Sequence, residues 1–257
     1  MNRDLRRHLT LGFCAAALGA ALASALRRDP RTANRRGMLA AAAFLAPTLV
    51  PNCRWNGPVL RRFATTERVV WLTIDDGPDP HDTPEILDVL ARHEARASFF
   101  AIGRKVWRYP AAARAVVAAG HDLQNHTWSH PAASFWAATP ACARAEIRAA
   151  NDAIREVTGQ TPRFFRAPAG LANPFVHAAA SRAGLRMAGW SVRGYDGVAH
   201  RPDDVIASIT QRLHPGAIVL LHEGPVRDLP PGTRARTLDR LLGRFSALGY
   251  RTAGPPA

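Results

Sequence analysis

Two adjacent carboxylates lie where an apolar run of the chain meets a turn. Asp75 and Asp76 follow the uncharged residues 69–74 and precede Gly77-Pro78. Two acids at the end of a buried strand would lose hydration and repel each other, and a bound cation or a proton would relieve both costs. The pair therefore predicts a site that binds a metal ion or holds a proton, although a solvent-exposed Asp-Asp-Gly-Pro turn is the ordinary alternative.

Two histidines stand four residues apart in His126-Thr127-Trp128-Ser129-His130. One helical turn would place both imidazoles on the same side, where they could bind a single metal ion. Taken alone, such a spacing is equally typical of a surface pair. One carboxylate with two imidazoles is the three-ligand, open-position set of a catalytic zinc-type centre. The two sites together therefore predict a metal centre far more specifically than either does alone.

The elements that must position these residues alternate between short apolar runs and helical patterns from residue 68 onward. This rhythm is typical of a mostly parallel sheet or barrel. Ser/Thr/Asn side chains and first-turn prolines mark several helix starts. Strands are predicted at residues 69–74, 97–102, 164–166, 186–192 and 217–221. Helices are predicted after an N-cap Thr83, at 105–119, at 140–158 after an N-cap Thr139, from Pro174 after an N-cap Asn173, from Asp203 and from Thr233.

The first 62 residues predict a membrane anchor. Residues 9–26 are uncharged and just long enough to span a bilayer, and a second, marginal apolar stretch covers 37–53. The basic loop between them, residues 27–36, would stay in the cytoplasm, so that the following domain faces the periplasm or the exterior. A cleaved signal peptide ending near Ala23-Ser24-Ala25 is the alternative. The anchor is favoured because cleavage would leave the second apolar stretch exposed.

The formal charge of +14 is concentrated at the N-terminus. Residues 1–62 hold eleven Arg against two Asp, a surplus of nine, which leaves +5 for the remainder. Nucleic-acid binding would require basic residues clustered with stacking aromatics, whereas the later basic residues are scattered, so we predict no nucleic-acid partner. Cys14, Cys53 and Cys142 show no CxxC spacing, so neither a cysteine zinc site nor a disulfide framework is indicated.

Five ordered motifs between about residues 68 and 252 resemble those of the polysaccharide deacetylase family, also called the NodB-homology or carbohydrate esterase 4 group. Thr73-Ile74-Asp75-Asp76-Gly77-Pro78 is similar to the first motif, with Ile74 in place of the usual Phe, and the histidine pair matches the second fully. The resemblance implies that Asp75 is the general base and that Asp76, His126 and His130 are the metal ligands.

The third and fifth motifs are similar to Arg166-Ala167-Pro168-Ala169-Gly170 and Leu220-Leu221-His222-Glu223. The resemblance implies that Arg166 orients the base and that the Ala169 N–H binds the oxyanion, with Pro168 beside the substrate. It further implies that His222 is the general acid and that Leu221 forms part of the acetyl-methyl pocket. Without the resemblance, one histidine after a buried strand would more often be structural.

The fourth motif departs from the family pattern. In Trp190-Ser191-Val192-Arg193-Gly194-Tyr195-Asp196-Gly197, Arg193 stands where the family usually has Asp and Gly197 where it usually has Trp. We therefore predict that Arg166 takes Asp196 as its acidic partner, because a bidentate contact would hold the guanidinium plane. Arg193 would then turn toward the substrate mouth. The alternative is that Asp196 is only a turn residue.

The fold that the resemblance implies is α/β, a distorted (β/α) barrel of the NodB-homology type over residues 63–257, preceded by the apolar N-terminal membrane segment 1–62. The implied activity is removal of N-acetyl, or alternatively O-acetyl, groups from an envelope carbohydrate such as peptidoglycan, a chitin-like oligosaccharide or an exopolysaccharide. One divalent ion is implied, Zn²⁺ first, with Co²⁺, Ni²⁺ and Mn²⁺ as alternatives.

Two other functions stay open. A lipid-linked sugar or glycolipid would fit the apolar N-terminus, and a catalytically dead carbohydrate-binding module could reuse the same groove. The expected location is the bacterial inner membrane, with the catalytic domain periplasmic or extracellular. The sequence makes no prediction of oligomeric state.

Overall fold

The fold is a parallel sheet wrapped by helices, as seen in a computed structural model that describes residues 16, 20, 30–197, 201–224 and 229–256. The strands are β1 (Val69–Asp75), β2 (Ala97–Ala101), β3 (Asp122–Asn125), β4 (Phe164–Phe165), β5 (Arg186–Met187), β6 (Val192–Arg193), β7 (Ile218–His222) and β8 (Arg251–Thr252). The helices are α1 (Pro30–Thr48), α2 (Asp82–Arg92), α3 (Gly103–Arg108), α4 (Pro110–Ala118), α5 (Pro140–Thr158), α6 (Pro174–Arg182), α7 (Pro202–Thr210) and α8 (Thr233–Ala247).

The sheet runs β5-β4-β3-β2-β1-β7-β6, with β8 also beside β1, and the strand pairs are parallel. It curls into a half-barrel. The chain before β1 links β5 to the start of β7, because Leu60 N donates to Met187 O at 2.9 Å and Phe63 N donates to Gly216 O at 3.0 Å. The predicted α/β architecture with parallel strands is confirmed.

The central strand β1 is buried along its whole length, as expected for a parallel strand covered on both faces. Leu72 and Ile74 pack against the helices, whereas Trp71 lies on the other face with aromatic side chains of β2 and β4. Because side chains alternate along a strand, Thr73 and Asp75 share the face of Trp71. The inner face of the half-barrel therefore carries Asp75 at the carboxyl end of its central strand.

Two of the predicted helix caps are confirmed. Thr139 Oγ1 accepts from Cys142 N at 3.2 Å at the start of α5, and Asn173 Oδ1 accepts from two amides at the start of α6. Thr83 is not an N-cap, since it lies inside α2, where its hydroxyl accepts from Asp79 N at 2.8 Å and donates to Glu223. Polar contacts of the loop before α2 therefore outweighed the local cap pattern.

Two predicted elements are interrupted. The helix predicted at 105–119 is divided into α3 and α4, because Pro110 has no N–H to continue the first helix. The strand predicted at 186–192 is divided into β5 and β6, because the chain changes partners there. Ala188 N still donates to Phe165 O of β4, whereas Ser191 N donates to Ile218 O of β7.

The N-terminal prediction is only partly covered by described residues. The span at 9–26 lies outside them apart from residues 16 and 20, and the supposed basic loop is helical from Pro30 onward, within α1. Over the described parts of the chain, no helix is both long and apolar enough to cross a bilayer.

The chain that follows α1 packs into the same fold as the sheet. Asn52 N donates to Gly170 O at 2.9 Å, Asn56 Nδ2 donates to Ala172 O at 3.2 Å, and Val59 belongs to a buried apolar cluster. Together with the Leu60 contact, these bonds place residues 52–62 in the same folded unit as the barrel. The predicted boundary after residue 62 therefore falls inside that unit.

Candidate active site

The predicted metal ligands meet at the carboxyl ends of β1 and β3. Asp76 directly follows β1, and His126 and His130 follow β3. Asp76 Oδ1 lies 3.5 Å from His126 Nε2 and 3.2 Å from His130 Nε2. One ligand atom from each residue lies within 4.8 Å of the other two, so a single ion could contact all three.

The histidine pair lies in a loop, and the predicted helical turn is wrong. Thr127 and His130 have φ angles of 65° and 54°, which a right-handed helix does not allow. Thr127 N donates to Asn125 Oδ1 at 2.9 Å, which fixes the bend immediately after β3. The two imidazoles nevertheless lie side by side, with ring centroids 4.8 Å apart.

The chemistry of the three side chains fits a divalent cation. Asp76 Oδ1 is buried and has no hydrogen-bond donor among the described residues. His126 Nδ1 must carry its proton, because it lies 2.8 Å from Arg166 O, which can only accept. The lone pair of His126 therefore lies on Nε2, the atom that faces Asp76.

Protonation of the cluster also favours a metal. Burial, with His126 next in importance, lowers the pKa of His130 to about 4, so this imidazole is neutral near pH 7. Burial alone would raise the pKa of the Asp76 carboxyl, but its contact with His126 outweighs burial and lowers that pKa. A neutral imidazole at His130 and a carboxylate at Asp76 are the ligand forms that zinc and similar ions require.

Asp75 is held by Arg166 on the inner face of the barrel. Arg166 Nη1 donates to Asp75 Oδ1 at 2.5 Å and to Thr73 Oγ1 at 2.9 Å, and its Nη2 donates to Gly189 O at 2.9 Å. The guanidinium carbon lies 4.0 Å from the Phe100 ring centroid, and Arg166 is fully buried. Asp75 Oδ2 remains on the side of the metal ligands, 3.7 Å from His126 Nε2.

The predicted pair between Arg166 and Asp196 is wrong. Asp196 Oδ1 lies 2.9 Å from His222 Nδ1, and Asp196 Oδ2 accepts from the His222 backbone N at 2.7 Å. Arg166 needs no such partner because Asp75 and two further acceptors already satisfy its terminal nitrogens. Burial lowers the pKa of His222, but the hydrogen bond and charge of Asp196 outweigh burial and raise it.

Sequence reasoning missed two cations that hold the site. Arg234, at the start of α8, donates from Nη1 to Asp196 Oδ2 at 3.1 Å and to His222 O at 2.8 Å. Lys105 Nζ donates to Asp76 O at 2.7 Å and so holds the loop after β1. Neither residue belongs to a motif that the sequence singled out, and only the fold brings them to the site.

A cavity of about 220 Å³ joins the predicted base, acid and ligands. Ala169, with a φ of 54°, lies on its wall, whereas Pro168 is buried beside it. Leu220 also lies on the wall, but Leu221 packs on the helical side. The predicted acetyl-pocket role of Leu221 is therefore wrong, because the residue next to His222 on a strand points to the opposite face. The wall residues are Asp75, Asp76, His126, His130, Ala132, Ala167, Ala169, Gly170, Trp190, Arg193, Leu220 and His222.

A larger cavity of about 1020 Å³ lies near the amino ends of β5 and β7. Trp190 is the one residue that it shares with the smaller cavity. None of the carboxylates or histidines of the ligand cluster lines the larger cavity. Size alone therefore does not identify the reactive site, and the chemistry of the lining residues does.

Sequence comparisons show which known proteins this chain resembles. The sequence model of the family described as polysaccharide deacetylase matches residues 63–188. A chitooligosaccharide deacetylase from Bradyrhizobium sp. (strain ANU 289) is 42% identical over 173 residues, which cover 67% of this chain and 76% of that protein. A peptidoglycan-N-acetylglucosamine deacetylase from Bacillus cereus is 31% identical over 206 residues, which cover 76% of this chain and 90% of that protein.

Likeness in fold also extends to a protein described as a pseudoenzyme. The solved structure of a CE4 family pseudoenzyme from Bacillus anthracis matches with a TM-score of 0.69 and 27% identity, over 76% of this chain and 66% of that chain. The same fold therefore occurs in proteins named deacetylases and in one described as a pseudoenzyme. An argument for activity must come from the residues of the cavity.

Proposed function

Because the chain belongs to the polysaccharide deacetylase family, the NodB-homology or carbohydrate esterase 4 group, it is a carbohydrate deacetylase, and we propose that it hydrolyses N-acetyl groups of an envelope glycan with one divalent metal ion. Peptidoglycan and chitin-like oligosaccharides are the proposed substrates, in line with the names of the relatives. The observation that carries the proposal is that Asp75 and His222 share one cavity with the three ligand residues.

Asp75 is the proposed general base. A divalent cation held by Asp76, His126 and His130, with Zn²⁺ proposed first, would supply Lewis acidity toward the acetamido carbonyl and the attacking water. Arg166 holds Asp75 Oδ1, so Oδ2 is the oxygen that takes the proton from the water. Since the same contacts hold the carboxylate in place before substrate arrives, little reorganisation is needed during the reaction.

His222 is the proposed general acid. Asp196 engages Nδ1, which leaves Nε2 to donate a proton to the departing amine nitrogen as the C–N bond breaks. The raised pKa of His222 keeps this imidazole protonated to a higher pH than an ordinary histidine. The Ala169 N–H is the proposed donor to the oxyanion, a contact worth about 3 to 4 kcal/mol at comparable sites, and Leu220 is proposed to contact the acetyl methyl group.

Acetate release tests the proposal. Metal-loaded protein is incubated with chitotetraose and with peptidoglycan fragments, and acetate is measured beside an Asp75→Asn variant. We expect acetate from at least one substrate with the unaltered chain and almost none with the variant. Equal release by both proteins would overturn the assignment of Asp75 as the base. Release from neither substrate nor from an O-acetyl ester panel would support the catalytically dead binding module instead.

Location and anchoring are proposed from the charge pattern alone. Arg3, Arg6 and Arg7, which precede the uncharged stretch 9–26, favour a cytoplasmic N-terminus and a catalytic domain on the far side of the membrane, where envelope glycans or lipid-linked sugars lie. A reporter fused after Ala257 that matures only outside the cytoplasm is the expected result. Maturation only in the cytoplasm would contradict this topology.

A further inference from the structure

Arg193 places an unused positive charge at the wall of the catalytic cavity. It ends β6 and lies on the same cavity wall as Asp75 and His222. Its Nε is buried and has no hydrogen-bond partner among the described residues. A buried donor without a hydrogen bond typically costs about 1–3 kcal/mol of folding free energy, and more when the group is charged. Such a donor at a cavity wall is explained if a ligand accepts its hydrogen bond.

The guanidinium is held in place by stacking. Its central carbon lies 4.3 Å from the Tyr195 ring centroid and 5.6 Å from the Trp190 ring centroid. The carbonyl of Arg193 also accepts from Ser208 Oγ at 3.1 Å, which fixes the backbone. Stacking engages the faces of a guanidinium and leaves the N–H groups at its edge free for hydrogen bonds.

The nearby carboxylates are already matched with other cations. Asp75 pairs with Arg166, Asp196 contacts both His222 and Arg234, and Asp76 lies against the histidine ligands. Within the described residues, no Asp or Glu forms an ion pair with Arg193. The charge of Arg193 is therefore available to a group that enters the cavity.

Resting on the proposed deacetylase function, we infer that Arg193 is a specificity residue that binds an oxyanionic substituent, a carboxylate or a phosphate, on the acetylated sugar or on its neighbour. A planar guanidinium edge matches both groups through paired N–H···O contacts, which neutral chitin-like sugars do not offer. An anion bound there would use the buried Nε and neutralise the remaining charge. Among the proposed substrates, acidic N-acetylated sugars are therefore preferred to neutral ones.

Matched substrates and variants test this inference. Initial rates are measured with neutral diacetylchitobiose, with a carboxylate probe that contains N-acetylmuramic acid, and with the phosphate probe N-acetylglucosamine 1-phosphate. Arg193→Gln removes the charge, and Arg148→Gln on the exposed face of α5 makes the same change of charge at a remote position. We expect Arg193→Gln to raise KM at least tenfold for one anionic probe, with kcat for diacetylchitobiose unchanged within twofold and Arg148→Gln without effect.

Binding of the deacetylated products gives a second readout that needs no turnover. Glucosamine, muramic acid and glucosamine 1-phosphate are titrated calorimetrically into the metal-loaded protein. A preference of tenfold or more for one anion that Arg193→Gln abolishes supports the inference even if no acetate is released, in which case only the proposed function fails. Equal affinities of the unaltered chain for all three ligands would overturn the inference. So would an Arg193→Gln variant whose rate falls equally for the neutral and the anionic substrates, with the loss in kcat.

Discussion

His222 and Asp196 are joined twice, once through the imidazole and once through the backbone. Asp196 Oδ1 lies 2.9 Å from His222 Nδ1, while Asp196 Oδ2 accepts from His222 N at 2.7 Å. Arg234 holds the second oxygen from the other side at 3.1 Å. The carboxylate thus fixes the imidazole orientation and stabilises its protonated form, which are the two requirements for a general acid.

Asp196→Asn is expected to lower kcat by about 10- to 100-fold near neutral pH, which is less than the roughly 100- to 10,000-fold that loss of the general acid itself would cost. Asp196 raises the pKa of His222 against the effect of burial, so loss of its charge lowers that pKa. The alkaline limb of the kcat profile, where His222 loses its proton, should therefore move to lower pH. Asp203→Asn, at an exposed pair with Arg240, is the matched control. An unshifted alkaline limb would refute the role of Asp196.

Asp75→Asn is expected to abolish turnover, by about 100- to 10,000-fold, while metal content stays at one ion per chain. The reason is that Asp75 contacts Arg166 rather than completing the ligand cluster. His126→Ala removes a ligand, so metal content and activity should fall together. Metal analysis by mass spectrometry after gel filtration separates the two cases. Metal loss in Asp75→Asn with retained metal in His126→Ala would reverse the assignment.

Much of the site could be predicted because its key residues sit in contiguous motifs. Asp75 and Asp76 end a strand whose apolar residues are unmistakable, and the His126 and His130 spacing survives even though the local backbone is a loop. The parallel architecture likewise follows from the alternating pattern. Local signals of this kind depend on a few neighbouring residues and so remain readable without the tertiary structure.

The errors concern contacts made between distant segments. Asp196 meets His222 across 26 positions and Arg234 across 38, and nothing local favours these partners over Arg166. The family resemblance implied Leu221 for the acetyl pocket, whereas Leu220 lies on the cavity wall with His222, and a shift of one residue along a strand reverses the face. Positive φ angles at Thr127 and His130 are also imposed by the loop contacts rather than by local propensity.

Metal binding should stabilise the folded protein as well as support its activity. An ion that binds the folded chain at one hundred times its dissociation constant adds about 2.7 kcal/mol of unfolding free energy, which corresponds to roughly 5 to 10 °C in melting temperature at this size. We expect chelator treatment to remove this increment together with activity, and Zn²⁺ to restore both. His130→Ala should melt at the same temperature with or without Zn²⁺. Full activity after verified metal removal would contradict the metal assignment.

Glu223→Gln should stabilise the protein at alkaline pH. Burial raises the pKa of Glu223 to about 8, against a contrary effect of its bond from Thr83. Between the ordinary carboxyl pKa of 4.5 and about 8, the folded chain therefore holds a proton that the unfolded chain has released, so stability falls as pH rises through this window. The full penalty above this window is on the order of 5 kcal/mol.

The measurement for Glu223 is the melting temperature of metal-free protein from pH 5 to pH 9. Glutamine cannot ionise, so the variant should lose this part of the pH dependence and melt higher than the unaltered chain at pH 9. Glu67→Gln, which removes an exposed pair with Arg251, is the control and should follow the unaltered chain. A Glu223→Gln curve parallel to that of the unaltered chain would show that Glu223 is not protonated in the fold.

Gly77 lies so close to Glu223 that a side chain at position 77 should destabilise the fold. A Cβ at position 77 would lie 1.6 Å from Glu223 Oε1 and 2.3 Å from Cδ, and Thr83 holds that carboxyl in place. Gly77→Ala should therefore destabilise by at least about 3 kcal/mol, the upper part of the range for overpacking. Glu223→Ala in the same chain removes the clash, so the double variant should be more stable than the sum of the single effects by 1 kcal/mol or more, as contacting residues require.

Gly243→Ala in α8, where a Cβ meets nothing within 4 Å, is the control and should be neutral or stabilising by about 0.5 to 1 kcal/mol. Urea unfolding of the four variants measures these differences. Strict additivity of Gly77→Ala and Glu223→Ala would show that the carboxyl of Glu223 does not pack against the loop that carries Asp75 and Asp76.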